Sequence, residues 1–208
     1  MDTTNLPTPR WFTGVGATDI TEDEQRLCSK IAYVLCSFGG YALRSGKAPG
    51  ADQAFQRGME RAESVPGYVP ADHEIYLPWE QFESHAKVSN KYDIWELEEL
   101  KETMRIASET HPAYQNLKPG QLAFHHRNIH QTLGRRLDQP SDFVLYCAKD
   151  GKDGLPEGGT RTAVKVAVDR GIPVFNMRGK RYEEVIHWVK GVIDKKYNLN
   201  QDDGGVVV

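Results

Sequence analysis

Cysteine is scarce in this chain and follows no pattern: Cys28, Cys36 and Cys147 are the three in 208 residues, and no CxxC pair occurs. That excludes a disulfide framework and a cysteine-based zinc site. An odd, scattered set suits a reducing compartment, so a cytoplasmic location is expected. Apolar runs long enough to cross a bilayer are also missing, and no membrane span is expected. Residues 1–9 are polar and proline-containing without an apolar stretch, which reads as an N-terminal extension and not as a secretory signal. Positive charge is not in excess: 26 Lys and Arg stand against 29 Asp and Glu, for a formal net charge of −3. Arg135-Arg136 and the stretch from Arg178 to Arg181 are the tight basic clusters, and both are short. A surface built to neutralise a nucleic-acid backbone is therefore not expected.

What is present is the composition of a soluble globular protein. With 39% hydrophobic residues, 208 residues can bury a core without staples and suit one generous α/β domain. Elements of two periods alternate along it. A short strand over 10–13 leads to Thr21, whose hydroxyl and the Glu24 carboxylate match a capping box. Leu27, Ile31, Val34, Leu35 and Phe38 then recur at helical spacing until Gly39-Gly40. Strands are expected over 41–45, 74–78, 142–147 and 172–175, the fourth almost wholly apolar as a buried parallel strand should be. Helices are expected over 51–62, 92–108, 119 to about 137, 160–170 and 183–195. In the 92–108 helix Ile94, Leu97, Leu100, Met104 and Ala107 form the inner stripe, and in 160–170 Ala163, Val164, Ala167 and Val168 do.

Five strands joined by helices predict a doubly wound parallel sheet, Rossmann-like, with right-handed crossovers. The domain is expected over 10–197, with residues 198–208 a flexible tail. Residues 79–139 form a helical elaboration between the third and fourth strands, placed to cover part of the sheet's carboxyl edge. In such sheets ligands bind where the strand order reverses.

Four segments carry candidate chemistry. Gly14-Val15-Gly16-Ala17-Thr18 follows the first strand; its glycines admit close approach of a phosphate to backbone N–H groups, and a plain tight turn has the same composition. Ser45-Gly46-Lys47-Ala48-Pro49-Gly50-Ala51-Asp52 follows the second. Asp52 there is either an acid favoured by the helix dipole or an acceptor or general base for a sugar, and Lys47 either meets a phosphate or is solvated. Glu157-Gly158-Gly159-Thr160-Arg161 lies between the fourth strand and a helix, so its N–H groups and the Thr160 hydroxyl point at an anion. This is the strongest local signal. His125-His126-Arg127-Asn128-Ile129-His130 sets His126 and His130 at i and i+4, but no third ligand stands at a metal-motif spacing, so no metal and no cofactor are expected. Arg127 suits bidentate phosphate contact, and Asn128 suits a base or ribose.

Taken in order, Phe12-Thr13-Gly14-Val15-Gly16, the 45–52 segment, His126-Arg127-Asn128, and Asp142-Phe143-Val144-Leu145 leading to Gly158-Gly159-Thr160 resemble the SLOG superfamily. That group joins the Rossmann domain of DNA-processing protein A with the Lonely Guy phosphoribohydrolases, and the likeness is to its small bacterial and phage members, over about residues 10–190. The resemblance implies a strand order 3-2-1-4-5, a pocket shared by residues 14–18 and 158–161, nucleotide-derived ligands and a homodimer. The Lonely Guy enzymes carry a glutamate soon after their Gly-Thr; here Ala163-Val164-Lys165 follow, so their activity is not carried across. The expected function is a sensor or sequestering protein for a nucleotide. The alternatives are a nucleoside or nucleotide N-glycosidase (or transferase) using Asp52 or Glu157, and a single-stranded DNA binder.

Overall fold

In a computed structural model, which describes residues 10–65, 73–83 and 91–202, the first strand sets the frame. Strand β1 (Arg10–Gly16) alternates Phe12, Gly14 and Gly16 with Trp11, Thr13 and Val15, and the two sets face opposite layers of helix. It pairs in parallel with β2 (Tyr41–Ser45) on one side and β5 (Phe143–Cys147) on the other, with Phe12 level with Leu43 and Phe143. Beyond β2 come β3 (Glu74–Leu77) and β4 (Lys91–Asp93), and beyond β5 comes β6 (Val174–Asn176). The sheet is parallel throughout, in the order β4-β3-β2-β1-β5-β6. This is the Rossmann-like α/β architecture expected, with one edge strand more than the five read from the sequence.

Helices cover both faces. On one lie α1 (Glu22–Gly39), α2 (Ala51–Glu63) and α6 (Tyr182–Asp202), packed on Phe12, Leu43, Phe143, Leu145 and Cys147. On the other lie α3 (Leu100–Thr110), α4 (Pro119–Leu133) and α5 (Thr160–Asp169), packed on Val15, Val144 and Tyr146. The capping box forms as expected: Glu24 N–H donates to the Thr21 hydroxyl at 3.2 Å, and Thr21 N–H to the Glu24 carboxylate at 2.8 Å. No helix of the described residues is long and apolar enough to cross a membrane.

The sequence reading and the fold part in definite places. Residues 92–108 are not one helix: β4 runs to Asp93, whose side chain accepts the Trp95 N–H, a single 3-10 turn follows, and α3 begins at Leu100. The reason is tertiary. Ile94 and Leu97 pack with Tyr76 and Ala123, and the Tyr92 and Tyr76 rings lie 5.6 Å apart, so this segment is pinned to the sheet edge before the helix starts. Thr103, Ile106 and Ala107 become the buried face of α3, and Met104 turns outward. Phe38 on α1 and Val168 on α5, both expected inside, are likewise exposed. Helix α4 stops at Leu133, not near 137, because Gly134 takes a φ of 81° against the Arg44 guanidinium, where a side chain would collide. Helix α6 continues to Asp202, into the stretch expected to be tail. The N-terminal extension, 1–9, and the end of the tail, 203–208, lie outside the described residues.

Beneath α4 the sheet is polar. Arg44 is fully buried; its Nε donates to Glu74 at 2.6 Å, Nη1 donates to the Gln139 carbonyl, and the guanidinium lies 4.1 Å from the Trp11 ring centre. Thr13 donates to the Gln131 carbonyl at 2.6 Å. These bonds tie β1, β2 and β3 to the end of α4. Arg44→Ala takes the charge partner from Glu74, which keeps the Tyr76 hydroxyl, and a donor from the Gln139 carbonyl, and is expected to cost about 3–5 kcal/mol. Urea denaturation followed by circular dichroism measures it; a loss under about 1 kcal/mol would mean that Glu74 simply turns to water.

Candidate functional site

The strand order reverses at β1, where successive crossovers run to β2 on one side and from β5 on the other. Residues leaving the two adjacent strands part there and leave a crevice at the carboxyl edge. A cleft of about 600 Å³ occupies it. Its walls are residues 15–18 at and just beyond the end of β1, residues 157–161 leading into α5, Asp52 at the start of α2, and the side of α4 that carries Phe124, Arg127, Asn128 and Gln131.

The floor is a buried ion pair. Arg127 Nη1 meets Asp52 Oδ2 at 3.1 Å and donates to the Gly46 carbonyl at 2.7 Å. Asp52 Oδ1 accepts the Gly16 N–H at 3.2 Å, the Ala48 N–H is a further donor, and Gln131 Nε2 stands 3.5 Å from Oδ2. Burial raises the Asp52 carboxyl above its ordinary value, and Arg127 with these donors opposes the rise. All its contacts are from donors, the bonding pattern of an ionised carboxylate. Arg127 is 6% exposed, and its Nε has no partner; the Gln131 Oε1 beside it has none either.

The second wall is the start of α5. Gly158 has a φ of 70° and turns the chain into the helix, so that Gly159 and Thr160, whose N–H groups open the helix dipole, line the cleft. The Arg161 N–H is not among those free: it bonds back to the Gly158 carbonyl at 3.3 Å, and its guanidinium is held by Asp153, which it keeps down at about 2. Asn128 Nδ2 donates to the Gly159 carbonyl at 2.5 Å and so fastens this wall to α4.

Three histidines follow the same helix. His125 Nδ1 lies 2.5 Å from the Thr162 hydroxyl, with the His111 ring 4.5 Å away; His126 Nε2 lies 2.9 Å from the Tyr114 hydroxyl; His130 Nε2 lies 2.8 Å from the Thr103 hydroxyl. Burial pulls each ring down to about 4, and for His125 the neighbouring His111 and His126 add to it. His126 and His130 thus each have a partner of their own, and no metal-holding group occurs among the described residues.

Of the residues singled out from the sequence, Gly16, Ala17, Thr18, Asp52, Arg127, Asn128, Gly158, Gly159, Thr160 and Arg161 line the cleft together. Gly14, Ser45, Gly46, Lys47, Gly50 and Ala51 lie outside its lining. A side chain at Gly14 would meet the Phe55 ring, and one at Gly46 the Arg127 guanidinium. The Ser45 hydroxyl donates to the Gly14 carbonyl at 2.7 Å, and the Ala51 N–H to the Ala17 carbonyl at 3.1 Å. Lys47 is buried with a φ of 63°; burial and then Lys91 pull its amine down, against Glu83. These residues support the site from behind. Sequence reasoning missed Gln131, Phe124 and His111; Gln131 had a signal, standing one helical turn beyond Arg127.

Two outcomes are expected. Asp52→Ala leaves a buried guanidinium without its charge partner and costs about 3–5 kcal/mol, while the double variant Asp52→Leu with Arg127→Met recovers part of that loss. Chemical denaturation of Asp52→Leu, Arg127→Met and the double gives the coupling, and additive losses would show that the pair is not coupled. The histidines set the acid limit. Their native values near 4 lie below the ordinary 6.5, so the unfolded chain binds more protons between these values. Stability from this source is full above pH 6.5 and is lost as the pH falls toward 4. Urea midpoints taken across that range test it: His126→Gln should flatten the slope by about one proton.

No protein-family model matches the sequence. No curated protein matches it either.

Proposed function

We propose that this chain binds a nucleotide or a nucleotide-derived small molecule in the cleft between β1 and β5, as a sensor or sequestering protein of the SLOG type it resembles. The observation that carries this reading is Arg127. It is a buried cation in the cleft floor, with one nitrogen fixed by Asp52 and Gly46 and its Nε without an acceptor. A buried donor left unpaired costs about 1–3 kcal/mol, which a ligand oxygen reached by a small shift of the side chain removes. The opening turn of α5 faces the same cleft and favours negative charge there. One phosphate between the two satisfies both.

Binding is favoured over hydrolysis. Asp52, in the floor, is occupied by Gly16, Ala48, Arg127 and Gln131 and has no position left for a substrate proton, and Glu157 is solvent-exposed and paired with Lys149 at 3.6 Å. The same acidic balance of the chain that argued against a nucleic-acid surface holds for this reading. The resemblance implies a homodimer, and the scattered cysteines suit a reducing, cytoplasmic compartment.

Mass spectrometry of small molecules released from the purified, denatured protein tests the reading directly, and a phosphorylated nucleoside is expected. In calorimetry with that compound, Arg127→Gln should weaken binding by about 1.5–3 kcal/mol while circular dichroism shows the fold retained. Unchanged affinity in the folded variant would remove Arg127 from the site. Release of free base at enzymatic turnover, abolished by Asp52→Asn, would put the N-glycosidase reading in its place.

A further inference from the structure

The proposed nucleotide needs a place for its base as well as its phosphate, and one flank of the cleft differs from the rest. Phe124 lines the cleft on the side of α4 that faces away from α5. Its ring is held by two others: Trp79 edge-on at 5.4 Å and Phe82 edge-on at 5.6 Å, themselves 5.1 Å apart. Phe82 is buried on Ile75, Leu77 and Ala48, and Ala48 also lines the cleft. The Arg127 guanidinium lies 5.6 Å from the Phe124 ring centre. A large apolar ring, half-buried and with Arg127 over it, is thus clamped in the cleft wall. His111, Leu117 and Gln121 also line the cleft, Gln121 one turn before Phe124 on α4. Gln121 Oε1 is committed to the Lys118 N–H at 2.9 Å, which leaves its NH₂ to donate.

We propose that Phe124 is the stacking platform for a heteroaromatic base, so that the ligand runs from a phosphate at the start of α5, across Arg127, to a base on Phe124. The proposal rests on the nucleotide reading above and adds to it the residue that holds the base, so that a sugar phosphate or a free anion is the weaker ligand. A fixed aromatic ring loses no freedom when a flat partner lies on it, and stacking of this kind accepts any base while rejecting a ligand without one. The Gln121 NH₂ then meets an acceptor on the edge of the base. Trp79, 40% exposed and in contact with Phe124, reports the event.

Calorimetry with adenosine, guanosine, cytidine and uridine 5′-monophosphates against ribose 5-phosphate tests it on the full chain. The best nucleotide should bind about tenfold or more tighter than ribose 5-phosphate. Phe124→Ala should erase that difference and leave ribose 5-phosphate unchanged, and Phe124→Tyr should keep it. Phe124→Leu serves if the alanine variant fails to fold by circular dichroism. Trp emission should change with nucleotide and not with ribose 5-phosphate, and the change should vanish in Trp79→Phe. Equal binding of nucleotide and ribose 5-phosphate by the native chain, or an equal loss of both in Phe124→Ala, would overturn the base platform and leave the anion site standing. Binding of neither by the native chain would overturn the nucleotide reading itself.

Discussion

The contact on which the cleft depends is the ion pair between Arg127 and Asp52. Two charges taken out of water cost several kcal/mol each, and they persist only where geometry and further hydrogen bonds compensate. Here the carboxylate takes donors from the end of β1, from the loop after β2 and from α4, while the guanidinium reaches the Gly46 carbonyl. One side-chain pair therefore joins the ends of two strands to two helices. The glycine at 46 follows from it, because any side chain there would occupy the space of the guanidinium. The elements cannot drift apart without exposing a charge to a dry interior, so the floor of the cleft is preorganised before any ligand arrives.

The two faces of the sheet are built on different physics. Under α1, α2 and α6 the contacts are apolar, with the Phe12 ring packed against both Phe55 and Phe143. Under α4 the sheet carries Thr13 and Arg44, and the helix answers with buried histidine, arginine, asparagine and glutamine. Each of those groups demands a partner in a definite direction, which apolar packing does not. Helix α4 is thereby fixed in rotation as well as position. That is what aims Phe124 and Arg127 toward one flank of the cleft and Asn128 and His125 toward α5. The apolar face supplies stability, and the polar face supplies the alignment that recognition requires.

Local signals carried well where a residue's role is local. The capping box at Thr21, the glycine stop at residue 40, the proline opening α4 and the apolar run of β5 are written in short stretches, and all appear in the fold. The glycine-threonine turn before α5 was legible for the same reason, since a helix start needs only its own few residues to offer N–H groups. Segment 91–99 failed that reading. Its helical spacing of apolar residues was real, but packing on Tyr76 at the sheet edge outweighed the weak helix preference of the first turns.

By itself, then, the sequence determined the alternation of strand and helix, the parallel character of the sheet, the carboxyl-edge loops and the candidates Asp52, Arg127, Asn128 and Gly158 to Thr160. These follow from periodicity, capping, backbone chemistry and the chemistry of single side chains, which act over a few residues. Only the tertiary structure decided that Asp52 and Arg127, 75 positions apart, neutralise each other. It also decided that Gly14 and Gly46 serve packing, that Arg161 is spent on Asp153, and that Gln131 and Phe124 belong to the cleft. Charge pairing, steric exclusion and ring packing between distant segments depend on distances that exist only once the chain has folded.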